Sequence, residues 1–191
     1  TAMLRPGNVP DKAGALGILR RIVGRLREEF PKARIFVRMD AGFAAPEIFE
    51  FLDDQPRVDY VVAMAKNKVL ERRARRLMGR ARRLSRESGE SERVYGECQY
   101  AAGTWSHKRR VIIKAEVVRH PGRHPKDNQR FVITNLRHSP ENVYKIYRLR
   151  GDPENRIKEM QDLESDRTSC TRFLANQLRL IMTATAYVLY Q

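Results

Sequence analysis

Between Asp11 and Met64 the apolar residues change period three times, and this alternation restricts the fold more than any other feature of the chain. Leu16, Leu19, Val23, Leu26 and Phe30 recur at three- and four-residue spacing, the stripe of an amphipathic helix, with Arg20, Arg21, Arg25 and Arg27 lying mostly off it. Asp11 stands where an N-cap belongs, and Pro31 ends the pattern because its ring cannot continue a helix. Residues 33–39 then set Ile35, Val37 and Met39 on one side and Phe36 on the other, which predicts a strand buried on both faces. A short helix follows from Pro46 through Ile48, Phe49 and Leu52, then a second strand over 60–64. Helix, strand, helix, strand in this order predicts an α/β layer with parallel strands, in which functional groups collect at the carboxyl ends of the strands. Asp40 occupies such an end, with Gly42 just beyond it.

The pattern is then interrupted. Residues 68–87 predict a helix with apolar positions Leu70, Leu77, Ala81 and Leu84, and eight arginines fall between Arg72 and Arg86. Such a density of like charge repels itself unless an anion is near. Three strand-like segments follow at 93–100, 110–118 and 130–134, separated by turn-rich stretches such as His120-Pro-Gly-Arg-His-Pro125, and these read as antiparallel. Helix resumes after Ser139-Pro140, first over 144–150; Gly151-Asp-Pro153 then restarts the chain, with Asp152 placed as N-cap, Pro153 as N1 and Glu154 in the first turn. The stretch 172–190 is apolar on most sides, which predicts a buried helix.

Composition narrows the partners. A formal charge of +15 and a pI near 10.4 favour a polyanion, nucleic acid above all, over an acidic small molecule; a solvated basic surface is the plainer alternative. Cys98 and Cys170 form no CxxC pair, and the four histidines sit in turns without metal-ligand spacing, so neither a zinc site nor a disulfide framework is suggested and a reducing cytoplasm fits. No apolar run reaches the roughly 18 to 20 residues of a membrane span.

Two carboxylates could carry chemistry. Asp40 follows a strand, and Glu154 lies in the run Tyr147-Arg-Leu-Arg150-Gly-Asp-Pro-Glu154-Asn-Arg-Ile-Lys158, where nearby cations could hold phosphates. Carboxylates converging in a basic setting would hold two Mg2+ ions about 3.5 to 4 Å apart for in-line attack at a phosphodiester. A polar turn residue and an exposed Glu–Lys pair are the alternatives. Trp105, the only tryptophan, sits beside His107, Lys108, Arg109 and Arg110 and suits either the core of a small sheet or stacking against a base.

Several ordered motifs bear a family resemblance. Arg38-Met-Asp40-Ala-Gly-Phe43, the strand ending in Ala65-Lys-Asn67, Tyr100-Ala-Ala-Gly-Thr-Trp105, Arg130-Phe-Val-Ile-Thr-Asn135, Arg150-Gly-x-x-Glu154-Asn-Arg-Ile-Lys158 and the tail Asp166-Arg-Thr-Ser-Cys170 resemble the DDE transposases of bacterial insertion sequences of the IS1380 group. The resemblance implies a partial ribonuclease-H-like core (1–65 and 131–191) interrupted over 66–130 by a basic helix and a small antiparallel β insertion, with C-terminal helices. It implies Asp40 as the second catalytic Asp, Glu154 as the catalytic Glu, and two Mg2+ or Mn2+ ions held by carboxylates including these two. Tyr147, Arg150 and Glu154 match the first three positions of a Tyr, Arg, Glu, Lys signature; Gln161 stands where the lysine is expected, and Lys158 is the nearest substitute.

The resemblance further implies DNA, both transposon ends and target, as partner, with Trp105 as a candidate for stacking a flipped base; the charge of the basic helix itself suits Arg72, Arg76 and Arg83 to tracking phosphates. A homodimer in the synaptic complex and a place in the bacterial cytoplasm, on the nucleoid, follow from the same source. In that group the first carboxylate precedes a Leu-Arg-Pro-Gly-Asn turn, here residues 4–8, so the chain is expected to lack it and to be inactive by itself. A non-catalytic basic nucleic-acid-binding module and a ribonuclease-H-like nuclease are the competing readings.

Overall fold

The computed structural model describes residues 14–149, 151–162 and 170–190, with the side chains of 152–154 excluded. One compact unit runs from Asp11 to Arg148, and Leu149–Gln191 belong to another.

In the first unit α1 (Ala15–Glu29), β1 (Ile35–Met39), α2 (Pro46–Asp54) and β2 (Val58–Met64) form in the predicted order, with β1 and β2 parallel. The basic helix is α3 (Lys68–Ser88). The side chain of Asn67 caps its start, accepting from the N–H groups of Val69 and Leu70, and Gly89 closes it in the left-handed conformation at φ 75°. The hairpin strands β3 (Glu92–Tyr100), β4 (Arg109–Val118) and β5 (Lys126–Thr134) follow, then α4 (Pro140–Arg148).

The three antiparallel strands do not stand as a sheet of their own. β5 pairs antiparallel with β2, Val61 opposite Thr134 and Met64 opposite Phe131, so all five strands form one mixed sheet in the order β1-β2-β5-β4-β3. The pleat explains the apolar runs. Val62, Ile113 and Ile133 face a core shared with Phe49 and Leu52 of α2, Leu70 and Ala74 of α3, and Val23 of α1. Their neighbours Val61, Ile112 and Val132 face the other way, onto Val143 and Tyr144 of α4. A central strand buried on both sides needs apolar residues at both parities. Burial pushes the Tyr144 phenol up to about 12, since ionising it there would strand a charge in the packed layer.

Two expectations are corrected here. β1 is not buried on both faces: it is an edge strand, and Phe36 is 40% exposed. Its inner residues Val37 and Met39 join the α2-side core, whereas α4 packs on the opposite face over β2 to β5. The α3 stripe is also shifted from the predicted one. Leu70, Ala74, Met78, Ala81 and Ser85 are buried, with Leu77 and Leu84 at its margin. Close packing against β3 is met by Gly96, where a Cβ would come within 2.6 Å of the Leu77 side chain.

The second unit contains α5 (Gly151–Asp162) and α6 (Phe173–Tyr190), in which the Tyr187 hydroxyl donates to Glu159. Because α5 begins at Gly151, Asp152 and Pro153 fall inside its first turn rather than at cap and N1. The expected burial of α6 is overturned: Leu174, Leu178, Met182 and Leu189 are exposed, and Tyr187 is its one residue counted as buried among those described. Within the unit α6 packs on α5, and one neighbour covers one side. Asp11 and residues 4–8, 150 and 163–169 lie outside the described residues.

Candidate active site

Asp40 stands where the parallel pair ends. Met39 is the last residue of β1, opposite Val62, and the backbone then turns into a single 3-10 turn, Ala41–Phe43. Asp40 caps that turn, one carboxylate oxygen accepting from the Gly42 N–H at 2.9 Å. An extended backbone at Asp40 (φ −84°, ψ −177°) followed by this bond fixes the carboxylate at the strand end. The side chain is partly buried.

The same strand end is tied to α4. Arg38 donates from a guanidinium nitrogen to the Ile146 carbonyl at 3.3 Å, reaching the last turn of the helix that carries Tyr147. Tyr147 is partly buried and packs on Tyr144, ring centroids 5.8 Å apart, which in turn packs on Tyr95 at 5.7 Å. Sequence position and tertiary contact thus place Asp40 and Tyr147 on elements joined by one hydrogen bond. Arg150 and the Glu154 side chain lie outside the described residues, and Glu154 belongs to the other unit. Lys158 is exposed on α5, with no hydrogen-bond or ion-pair partner among the described residues.

On α3 all eight arginines are exposed. Arg82 pairs with Asp127, Arg83 lies 3.9 Å from Glu87, and Arg73 donates to the Gln99 carbonyl. Arg72, Arg75, Arg76 and Arg80 have no partner among the described residues. Arg73, Arg76, Arg80 and Arg83 line one groove against Gly96 and Ile113, a row repeating every three to four residues along one helix face. This is a surface on which phosphates could be tracked, since four guanidinium groups share it with a single acid, Glu97.

Trp105 lies in the β3–β4 connection, half-buried, its ring 5.2 Å from Phe49 and 5.5 Å from Tyr100, both edge-on. It packs against the α2-side core.

One polar network is not evident from the motifs. Arg109, its side chain 2% exposed, donates from Nε to Asp53 at 2.8 Å; the Tyr60 hydroxyl donates to the other Asp53 oxygen at 2.8 Å, and His107 stands 3.3 Å away. Burial and the Asp53 carboxylate both push the Tyr60 phenol far up, so it stays a donor. The signal for Arg109 is strand phase: it shares parity with Val111 and Ile113, which puts it inward despite its place in the run His107-Lys-Arg-Arg110.

Among the described residues no group of three or more His, Cys, Asp and Glu gathers as a metal site, and none of the described helices is long and apolar enough to cross a membrane. Asp40, a carboxylate at a strand end, is by its chemistry a fit ligand for a hard divalent cation.

A family model described as transposase DDE domain group 1 matches residues 1–191. No curated protein matches the chain.

Proposed function

The chain belongs to the transposase DDE domain group 1 family, and we propose that it carries part of the catalytic machinery of a DNA transposase of the IS1380 kind on a ribonuclease-H-like core, with Asp40 and Glu154 as two of the catalytic carboxylates and no activity by itself. What supports the reading is the family match over the whole chain, taken with the position of Asp40 beyond the end of a strand in a parallel pair. DNA is the partner, in keeping with a charge of +15. The chemistry is in-line attack of a hydroxyl oxygen on a phosphodiester at the element end, with the 3′ oxygen leaving, and later the same exchange on target DNA.

Asp40 and Glu154 would hold Mg2+ or Mn2+, which supplies positive charge to the attacking and leaving oxygens. The chain's own residues do the positioning. Arg38 holds the end of α4 to the strand that presents Asp40. Tyr147, Arg150 and Lys158 contact phosphates near the scissile bond, and Arg72, Arg76 and Arg83 follow the backbone further away, giving affinity with little sequence preference. Pairing of two chains at the element ends belongs to the same reading.

The test is excision of a marked element in cells by the transposase with Asp40→Asn or Glu154→Gln. Each is expected to lower excision by about three orders of magnitude, roughly 4 kcal/mol of barrier, with DNA affinity kept. Excision within threefold of wild type in either variant removes that carboxylate from the site. The non-catalytic reading is favoured by the unpaired Arg72, Arg75, Arg76 and Arg80, and it predicts DNA binding with no effect of either substitution.

A further inference from the structure

At the end of the sheet away from Asp40, a cleft of about 470 Å³ opens between the start of β4, the finish of β5 and the end of α2. Thr134, the last residue of β5, is opposite Val61 and Arg110, and Asn135 reaches back to accept from the Tyr60 N–H and donate to the Val58 carbonyl. The cleft is therefore anchored at the start of β2, whereas Asp40 follows β1 at the other end of the parallel pair. It is apart from Asp40, and it shares only Glu97 with the groove of the α3 arginine row.

Its charge is lopsided. Lys108, Arg109, Arg110, Arg137 and His107 line it against two acids, Asp53 and Glu97. Both acids are taken: Asp53 by Tyr60, Arg109 and His107, and Glu97 by Arg110. Lys108 and Arg137 line the cleft, are exposed, and have no partner among the described residues.

Behind them, Arg109 is buried with both terminal guanidinium nitrogens lacking an acceptor. It is held by Phe49 and Trp105, whose ring centroids lie 5.4 and 5.3 Å from the guanidinium carbon. Asp53 offsets the charge of Arg109 and Glu97 that of Arg110, so the uncompensated positive charge of the cleft lies on Lys108 and Arg137.

We propose that this cleft is a second phosphate-binding site, which takes a phosphodiester of the DNA backbone through Lys108 and Arg137, in front of the buried Asp53–Arg109 pair; the proposal rests on the DNA reading above. Rim cations that are long and flexible, above a fixed guanidinium, suit a backbone that must be held without regard to sequence. Trp105 packs on Arg109 in the wall and, as the only tryptophan, reports on the site by its emission.

The test is titration of the chain with a labelled duplex and with inorganic phosphate, following anisotropy and Trp105 emission together. Duplex is expected to change Trp105 emission along the anisotropy isotherm. In the Lys108→Gln/Arg137→Gln double variant that change should be lost, and the slope of log affinity against log salt should be shallower by about 1.8, two phosphate contacts at 0.9 each. An Arg123→Gln/Lys126→Gln variant removes equal charge from the β4–β5 turn, at the other end of β4, and should keep the emission change.

A duplex that binds by anisotropy, with silent Trp105 and with the two double variants alike in slope, overturns the second site and leaves DNA binding standing. Absence of duplex binding overturns both. If inorganic phosphate alone moves Trp105 through Lys108 and Arg137 while the DNA slope is unchanged, the ligand is a free phosphate and the backbone assignment fails.

Discussion

Replacing Asp53 by Ala would remove the one carboxylate within reach of the Arg109 guanidinium among the described residues. The Arg109 side chain is 2% exposed, so the charge left behind has no water to turn to. Breaking a buried pair from one side costs about 3–5 kcal/mol. The Tyr60 hydroxyl, on a residue 1% exposed, loses its acceptor as well, about 1 kcal/mol more. Against this, the Asp53 side chain is 23% exposed, so water can enter the space it vacates and the lower end applies.

The expected net loss is about 3–4 kcal/mol, near 10 °C in melting temperature for a chain of this size. Urea unfolding followed by circular dichroism measures it. Adding Arg109→Met to Asp53→Ala removes the stranded charge and should recover about 2 kcal/mol, because a buried pair replaced by apolar groups is often close to neutral. A loss under 1 kcal/mol for Asp53→Ala, or a double variant weaker than that single one, refutes the reasoning.

Asn67→Ala should cost about 1 kcal/mol in the same assay, since one side-chain oxygen satisfies two N–H groups at the start of α3; an unchanged midpoint would mean that water serves as well. At Glu116, burial pushes the carboxyl up, but hydrogen bonds from Lys114 and Asn128 and the charges of Lys114 and Arg93 outweigh it, so it titrates below its ordinary value. A lowered carboxyl stabilises the fold above its ordinary range, and the contribution is lost as pH falls through the native value. Glu116→Gln should therefore lower the melting temperature at neutral pH and converge with wild type in acid; curves that stay parallel down to acid would contradict this.

The order of elements was legible because periodicity reports which side of an element faces a core. It placed α1 to β2 and the three hairpin strands to within a few residues, and it put Asp40 at a strand end. Strand parity also held the clue to Arg109, hidden by the cations on either side of it. The helix signal after Ser139-Pro140 placed Tyr147 on α4, and the arginines of α3 announced an exposed basic face.

What covers a face is another matter, because it depends on residues far apart in the chain. The pairing of Val61 with Thr134 joins segments that no local pattern connects, and it turned five strands into one sheet, leaving β1 and β3 at its edges. Phe36 and α6 read as core by composition and are exposed, since hydrophobic character records what a side chain could bury, while only the packed neighbours decide whether it does. Periodicity and composition alone settled the order of the strands and the positive charge. The tertiary structure decided that the Asp53–Arg109 pair lies inside, with two cations left unpartnered at the cleft above it, because burial and ion pairing are properties of neighbours in space.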